Sequence, residues 1–292
     1  MEADTFRIID AHVHIGQGQI STDPLMSNIS AEHILQLMAE ASVRRSIIFA
    51  PHCPAGYTEA NREVAAYVAQ APEKFIGFGR VRFRPVARGP RPLWRRAARK
   101  LSRIVNSRFG GFPDRYLDRL VDPDVADRQQ QTLDEVRRCF EEYRFHGIKL
   151  HPVQDGVPPE PVFGVIDDCR KPVLFHAGTG IDLRALEEKI IRRYRMPIIL
   201  AHMGGYAADR RLYMEALALA QRYQHVYLDT SYVFFQYVLE MALTRCPSKI
   251  VFGSDAPGVH PRTSITCLLS LRVTDEVKQM VFADNIERIL ET

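Results

Sequence analysis

Short apolar runs rich in Val, Ile and Phe alternate along this chain with stretches in which apolar residues recur every three or four positions. The runs are FRIIDAHVH (Phe6 to His14), SIIFA (Ser46 to Ala50), KFIGFGRV (Lys74 to Val81), GIKLH (Gly147 to His151), PVLFH (Pro172 to His176), PIILAH (Pro197 to His202), HVYLDT (His225 to Thr230) and KIVFGSD (Lys249 to Asp255). Their length and β-branched content suit buried parallel strands. The intervening periodicity predicts helices from a cap at Ser30 to about Glu40, from Thr58 to Gln70, and from about Ala126 to Tyr143. Further helices are expected to end near Cys169, to run over Asp182 to Arg193 and Ala208 to Tyr223, to end near Thr244, and to run over Thr274 to Leu290. Eight strands, each followed by a helix, predict an α/β fold: a (β/α)8 TIM barrel with right-handed crossovers. An open doubly wound sheet would alternate too, but it would not bring the ends of its first and last strands together.

The rhythm breaks after the third strand. Residues from about 82 to 126 form an insertion, in which Leu93, Trp94, Ala97, Ala98, Leu101, Ile104 and Val105 fall at helical spacing. Arg95, Arg96, Arg99, Lys100 and Arg103 take much of the other surface, so a basic amphipathic helix near the barrel mouth is expected. A length of 292 residues then fits one barrel domain, 1–292, carrying this insertion. Residues 80–108 hold eleven Arg or Lys and no acid. Without them the formal charge of the chain is −7 rather than +4. The body is therefore mildly acidic, and total charge does not point to nucleic acid. The insertion reads as a solvated cover or as a recognition surface for an anionic substrate. It lacks the interleaved aromatics of a base-stacking surface.

No apolar run approaches the roughly 18 residues of a membrane span. The start, MEADTFRIIDAH, has no basic segment followed by a secretory apolar core, so a cytoplasmic protein is expected. Five scattered cysteines without a CxxC spacing read as reduced thiols.

Candidate chemistry lies at the strand ends. Four of the runs stop on histidine and a fifth on aspartate. His12 and His14, two apart on a strand, share a face, and one metal ion can accept both imidazoles. A barrel gathers strand ends into one site, so His176, His202 and Asp255 are expected to join them.

In that order, IIDAHVHIG, GIKLHP, PVLFHAG, ILAHMGG, DTS and FGSDAP resemble the amidohydrolase superfamily. They are most similar to the amidohydrolase-2 group of metal-dependent hydrolases and aminocarboxymuconate-semialdehyde-type decarboxylases. The C-terminal DNIERIL also resembles that group. The resemblance implies that His12, His14, His176 and Asp255 hold one divalent ion, zinc first and manganese as an alternative. It gives Asp255 the further role of proton acceptor and donor, and it places His202 against the attacking water or the substrate. Lys149 and His151 are again two apart and face one side. Lys149 reads either as a substrate-binding cation or, as in two-metal members, as a carboxylated bridge to a second ion. Arg80, closing the third strand, is a candidate for binding a substrate carboxylate, and His52 and His260 are candidates for the mouth. The activity implied is hydrolysis of an ester, lactone or amide by metal-activated water, with nonoxidative decarboxylation as the alternative. A TatD-like nuclease shares the early HxH but carries glutamate where this chain has Lys149. A small, anionic substrate and a homodimer are the expected partners.

Overall fold

The apolar runs do form a barrel. The computed structural model describes residues 5–19, 27–83, 125–178, 181–205 and 209–291. Its strands are β1 (Ile9–His14), β2 (Gly16–Gln19), β3 (Ser27–Ile29), β4 (Arg45–Phe49), β5 (Phe75–Arg80), β6 (Gly147–Leu150), β7 (Val173–Phe175), β8 (Ile198–Leu200), β9 (Val226–Asp229) and β10 (Ile250–Val251). Strands β1 and β4 to β10 lie side by side in chain order, each parallel to the next. Backbone bonds from Ala11 N to Phe252 O (2.9 Å), Asp255 N to His12 O (2.9 Å) and His14 N to Ala256 O (2.8 Å) join the first strand to the last. The (β/α)8 TIM barrel is thereby closed. Strands β2 and β3 form a separate antiparallel hairpin. The apolar pattern does not foretell it, because GQGQ carries no apolar side chain.

Side chains alternate between two packed regions, as strand geometry requires. Ile9, Ala11, Phe49, Phe78, Leu174, Ile199 and Val251 cluster inside the barrel, joined by Ala283, Ile286 and Ile289 of the C-terminal segment. Their neighbours Ile8, Ile48, Phe75, Ile148, Val173 and Ile250 pack in the larger region under the helices. Strand β1 breaks this alternation once. Asp10 pairs with Ser46 but Val13 pairs with Ile48, so β1 spends one residue more than β4 over the same stretch. The bulge resets the parity. Ile9 and Ala11 face inward, Val13 and Ile15 pack outward, and His12 and His14 are turned inward with the apolar floor beneath them.

The helices follow the expected order with four differences. The segment after β6 is split into Pro152–Asp155 and Glu160–Asp168. A helix over Pro261–Leu269 was not expected. The helices from Leu183 and from Asp275 each pass through a wider π-type turn, at Glu187–Ile191 and Met280–Asp284. The eighth strand was expected to reach Asp255, but its ladder stops at Val251. Beyond that point its backbone bonds to β1 and to the Thr230 side chain rather than along β9. The expected cap at Ser30 holds, its Oγ accepting from His33 N, and Asp182 proves to be the cap of the helix from Leu183, accepting from Arg184 N and Ala185 N. The basic helix expected within 82–126 lies, from 84 to 124, outside the described residues. Among the described residues no helix is long and apolar enough to cross a membrane.

Candidate active site

Above the apolar floor, the inward positions at the C-terminal ends of the strands are polar. They are His12 and His14 of β1, Arg80 of β5, Lys149 of β6, and Asp229 of β9. Just past the ends of their strands come His151, His176, His202 and Asp255. His12, His14, Arg80, Lys149, Asp229, His202 and Asp255 are buried, whereas His151 and His176 are partly exposed.

Asp255 Oδ1 lies 3.1 Å from His12 Nε2 and 3.0 Å from His14 Nε2. Lys149 Nζ lies 3.1 Å from the same His12 nitrogen and 5.0 Å over the centre of the Phe49 ring. Behind His12, its Nδ1 donates to Asp229 Oδ2 at 2.7 Å. Whenever the ring is neutral, that bond leaves its Nε2 lone pair facing the Asp255 carboxylate, and positive charge beside the two then favours the contact. Lys149 supplies some of it, and a divalent ion suits the same set of imidazole and carboxylate donors. His14 Nδ1 is buried with no hydrogen-bond partner, so this ring's one hydrogen bond is the one to Asp255. Among the described residues, the donor atoms close enough to share an ion fall into two groups. One is His12, His14 and Asp255; the other is His12, His202 and Asp229.

The second group reads as an orienting network. Besides His12, Asp229 accepts from the backbone of His202 (2.8 Å), the backbone of Ser231 (3.0 Å) and Ser231 Oγ (2.5 Å). Four donors saturate its two oxygens. Because an ionised carboxylate only accepts, it sets the direction of the whole chain. Ser231 Oγ donates to Asp229 and accepts from His202 Nδ1 at 2.9 Å. His202 Nε2 then accepts from His176 Nδ1 at 3.2 Å. Strand position alone did not single out Asp229. The available signal was that HVYLDT also ends near a carboxylate, at an inward position.

Burial governs the charges. It pushes His14 and His202 down to about 4 and His176 well below its ordinary value, so these rings are neutral at pH 7. His12 is also pressed down by burial and by Lys149, but Asp255 and Asp229 outweigh this and raise it. Burial alone would raise Asp229, yet His12 and Ser231 hold it at about 2. Asp255 is likewise held well below its ordinary value, the bonds to His12 and His14 overcoming burial. Burial brings Lys149 to about 7.

The backbone is strained where the site is built. His202, Met203, Tyr232 and Asp255 all have left-handed φ, between 47° and 68°, which costs a non-glycine residue about 1–2 kcal/mol. At His202 the turn follows directly on β8 and swings the ring across to Ser231.

His151 stacks on His176, with ring centroids 3.8 Å apart and planes at 11°. Arg80 is fully buried and spends its nitrogens on the protein. Nε reaches Asp155 Oδ2 (2.9 Å), and the other two reach Ala50 O (3.1 Å) and Gln154 Oε1 (2.5 Å). Its position at the strand end is as expected, but its partners are protein groups rather than the open mouth. Asp155 also accepts from Tyr57 OH at 2.7 Å and lies 3.5 Å from His52. His260 caps the helix from Pro261 and faces Glu40 (3.0 Å) rather than the mouth.

The architecture is similar to several solved structures. The 5-carboxyvanillate decarboxylase from Sphingomonas paucimobilis superposes with a TM-score of 0.66 at 15% identity, covering 98% of this chain and 99% of that one. A dihydroxybenzoic acid decarboxylase from Polaromonas sp. JS666, solved with bound manganese and the inhibitor 2-nitroresorcinol, gives 0.60 at 15% identity, covering 98% and 97%. A probable 2-pyrone-4,6-dicarboxylic acid hydrolase from Acinetobacter baumannii, with citric acid bound, gives 0.60 at 12% identity, covering 98% and 100%. At these identities the likeness is one of fold. No curated protein matches the chain by sequence. The family model described as amidohydrolase matches residues 92–292, which take in β6 to β10 and with them Lys149, His176, His202, Asp229 and Asp255. The chain belongs to the amidohydrolase family.

Proposed function

We propose that the protein is a metal-dependent hydrolase cleaving an ester, lactone or amide bond in a small, carboxylate-bearing substrate. The observation behind this reading is the meeting of His12 Nε2, His14 Nε2 and Asp255 Oδ1 at the barrel mouth, with His12 held from behind by Asp229. His12, His14, His176 and Asp255 would hold one ion. Zinc is the first choice for this donor set and manganese the second. When bound, the ion supplies Lewis acidity and lets water ionise near neutral pH.

The chain's own residues do the rest. Asp255 takes the proton of the attacking water and returns it to the leaving group. His202 holds the His176 ring in place, its Nε2 accepting from His176 Nδ1. Lys149 and His151 meet the substrate's carboxylate. Arg80 acts one step back, fixing the segment after His151 through Asp155 and Gln154. The amine of Lys149, brought to about 7, also suits the carboxylated bridge of a two-ion site, and the ion count per chain separates the two.

Decarboxylation is the second reading, favoured by the decarboxylases among the structures of similar fold. In it, Asp255, ionised at rest, takes a proton from solvent and passes it to the carbon that CO₂ leaves. A panel of lactones, esters and aromatic acids, assayed for both acid release and CO₂, decides between them. Acid release without CO₂ supports the hydrolase, and CO₂ release supports the decarboxylase.

Asp229→Asn tests the orienting bond. The amide can present its NH₂ to His12 and reverse that ring's tautomer. Metal affinity should fall about 10- to 100-fold, as for other partners that orient ligand histidines, with little change in fold. Competition with a chelator measures it, and an unchanged affinity would remove Asp229 from the account.

A further inference from the structure

We propose that Asp10 is a positioning residue for this site: its carboxylate ties β1 to the segment after β10 and so sets the distance between His12 and Asp255. The inference rests on the metal-centre reading above. Asp10 is fully buried and belongs to neither group of donor atoms close enough to share an ion. Both its oxygens nevertheless accept hydrogen bonds. Oδ1 accepts from the backbone N–H of His12 (3.1 Å) and of Ser254 (2.9 Å), and Oδ2 accepts from Ser254 Oγ (2.5 Å). Ser254 Oγ in turn accepts from Ala256 N at 3.0 Å.

The placement coincides with the bulge in β1. A bulge disturbs the ladder and leaves a backbone group to be satisfied another way. Here the register slips between Asp10 and Val13, and the carboxylate at the start of the slip takes the N–H of His12. The same carboxylate takes the N–H of the residue immediately before Asp255. One side chain therefore binds the backbone of one proposed ligand and that of the neighbour of another, on opposite sides of the seam that closes the barrel. The strand ladder of β10 has already ended at Val251, so this carboxylate, with the single backbone bonds to β1, holds Asp255 at its left-handed φ of 68°. Removing the carboxylate frees three buried donors at once and lets the two ligands drift apart.

The test is zinc affinity of Asp10→Asn and Asp10→Ala, by competition with a chelator, together with hydrogen exchange of the segments 9–15 and 250–256. The amide of asparagine keeps Oδ1 as acceptor for both N–H groups, so the expected loss is about tenfold for asparagine and about 100-fold for alanine. Exchange should quicken in those two segments and not across the rest of the barrel. A lowered melting temperature with zinc affinity unchanged would mean that Asp10 only stabilises the fold, and would overturn the proposal. If the alanine variant does not fold, the asparagine variant decides by the same measure. If the wild-type protein binds neither zinc nor manganese, the metal-centre reading fails. Exchange then decides for Asp10 alone: unchanged rates in both segments overturn the seam role.

Discussion

Asp255→Asn should lower turnover by about 10²- to 10⁴-fold or more while leaving the barrel folded. The residue is asked to do two things, to bind the ion and to move a proton, and an amide does both poorly. Asparagine is the better substitution because position 255 has a φ of 68°. Asparagine tolerates that conformation, whereas alanine would add about 1–2 kcal/mol of backbone strain and confuse a chemical effect with a structural one. The environment sharpens the expectation. Among the described residues Asp255 is the one carboxylate in contact with both His12 and His14, and those contacts hold it ionised despite its burial. Asp229 cannot take over, since its oxygens are occupied by His12, His202 and Ser231. The measurement is kcat at saturating metal, with circular dichroism as the control for folding. A variant with wild-type kcat would sink the proposed mechanism.

The largest effect on stability is expected from Arg80→Ala, about 3–5 kcal/mol. Arg80 and Asp155 form an ion pair 2.9 Å apart in which both side chains are 1% exposed. Removing the guanidinium leaves the Asp155 charge buried, with Tyr57 OH and a distant His52 as its remaining partners. Gln154 and the Ala50 carbonyl lose their donors as well. Lysine is no remedy, because a single ammonium cannot reach Asp155, Gln154 and Ala50 together in this fork. Chemical denaturation of wild type, Arg80→Ala, Asp155→Ala and the double variant gives the answer as a cycle. The double variant should cost much less than the two singles added, because it leaves no unpaired charge. A loss under about 1 kcal/mol for Arg80→Ala would show the pair to be dispensable.

Much of this molecule is legible in its sequence because barrels obey simple rules. Buried parallel strands show as apolar runs, and a strand that ends on histidine or aspartate aims that side chain at the common mouth. That reasoning finds His12, His14, Lys149, His202 and Asp255 close together. It does less well where a residue's role depends on what meets it from another strand. Asp229 is an ordinary strand-end carboxylate until the fold sets His12 across from it. Asp155 sits after a strand in a polar segment, and nothing local shows that Arg80 will bury against it. Arg80 was for the same reason read as a substrate ligand, since position along a strand does not say whether a cation is already paired. The bulge in β1 is invisible as well. The HxH spacing predicts two side chains on one face, but the slip that puts this face inward together with Ile9 and Ala11 is a property of pairing with β4.

The proposed metal centre lies where β1, the end of β7 and the segment after β10 meet. Its most direct test is elemental analysis of the freshly purified protein, without added metal, for the wild type and for His12→Ala. The account predicts about one zinc or manganese per wild-type chain and a loss of most of it in the variant. Two ions per chain would make Lys149 a carboxylated bridge and extend the centre rather than remove it. No bound metal in the wild type, with none taken up on reconstitution, would contradict the account.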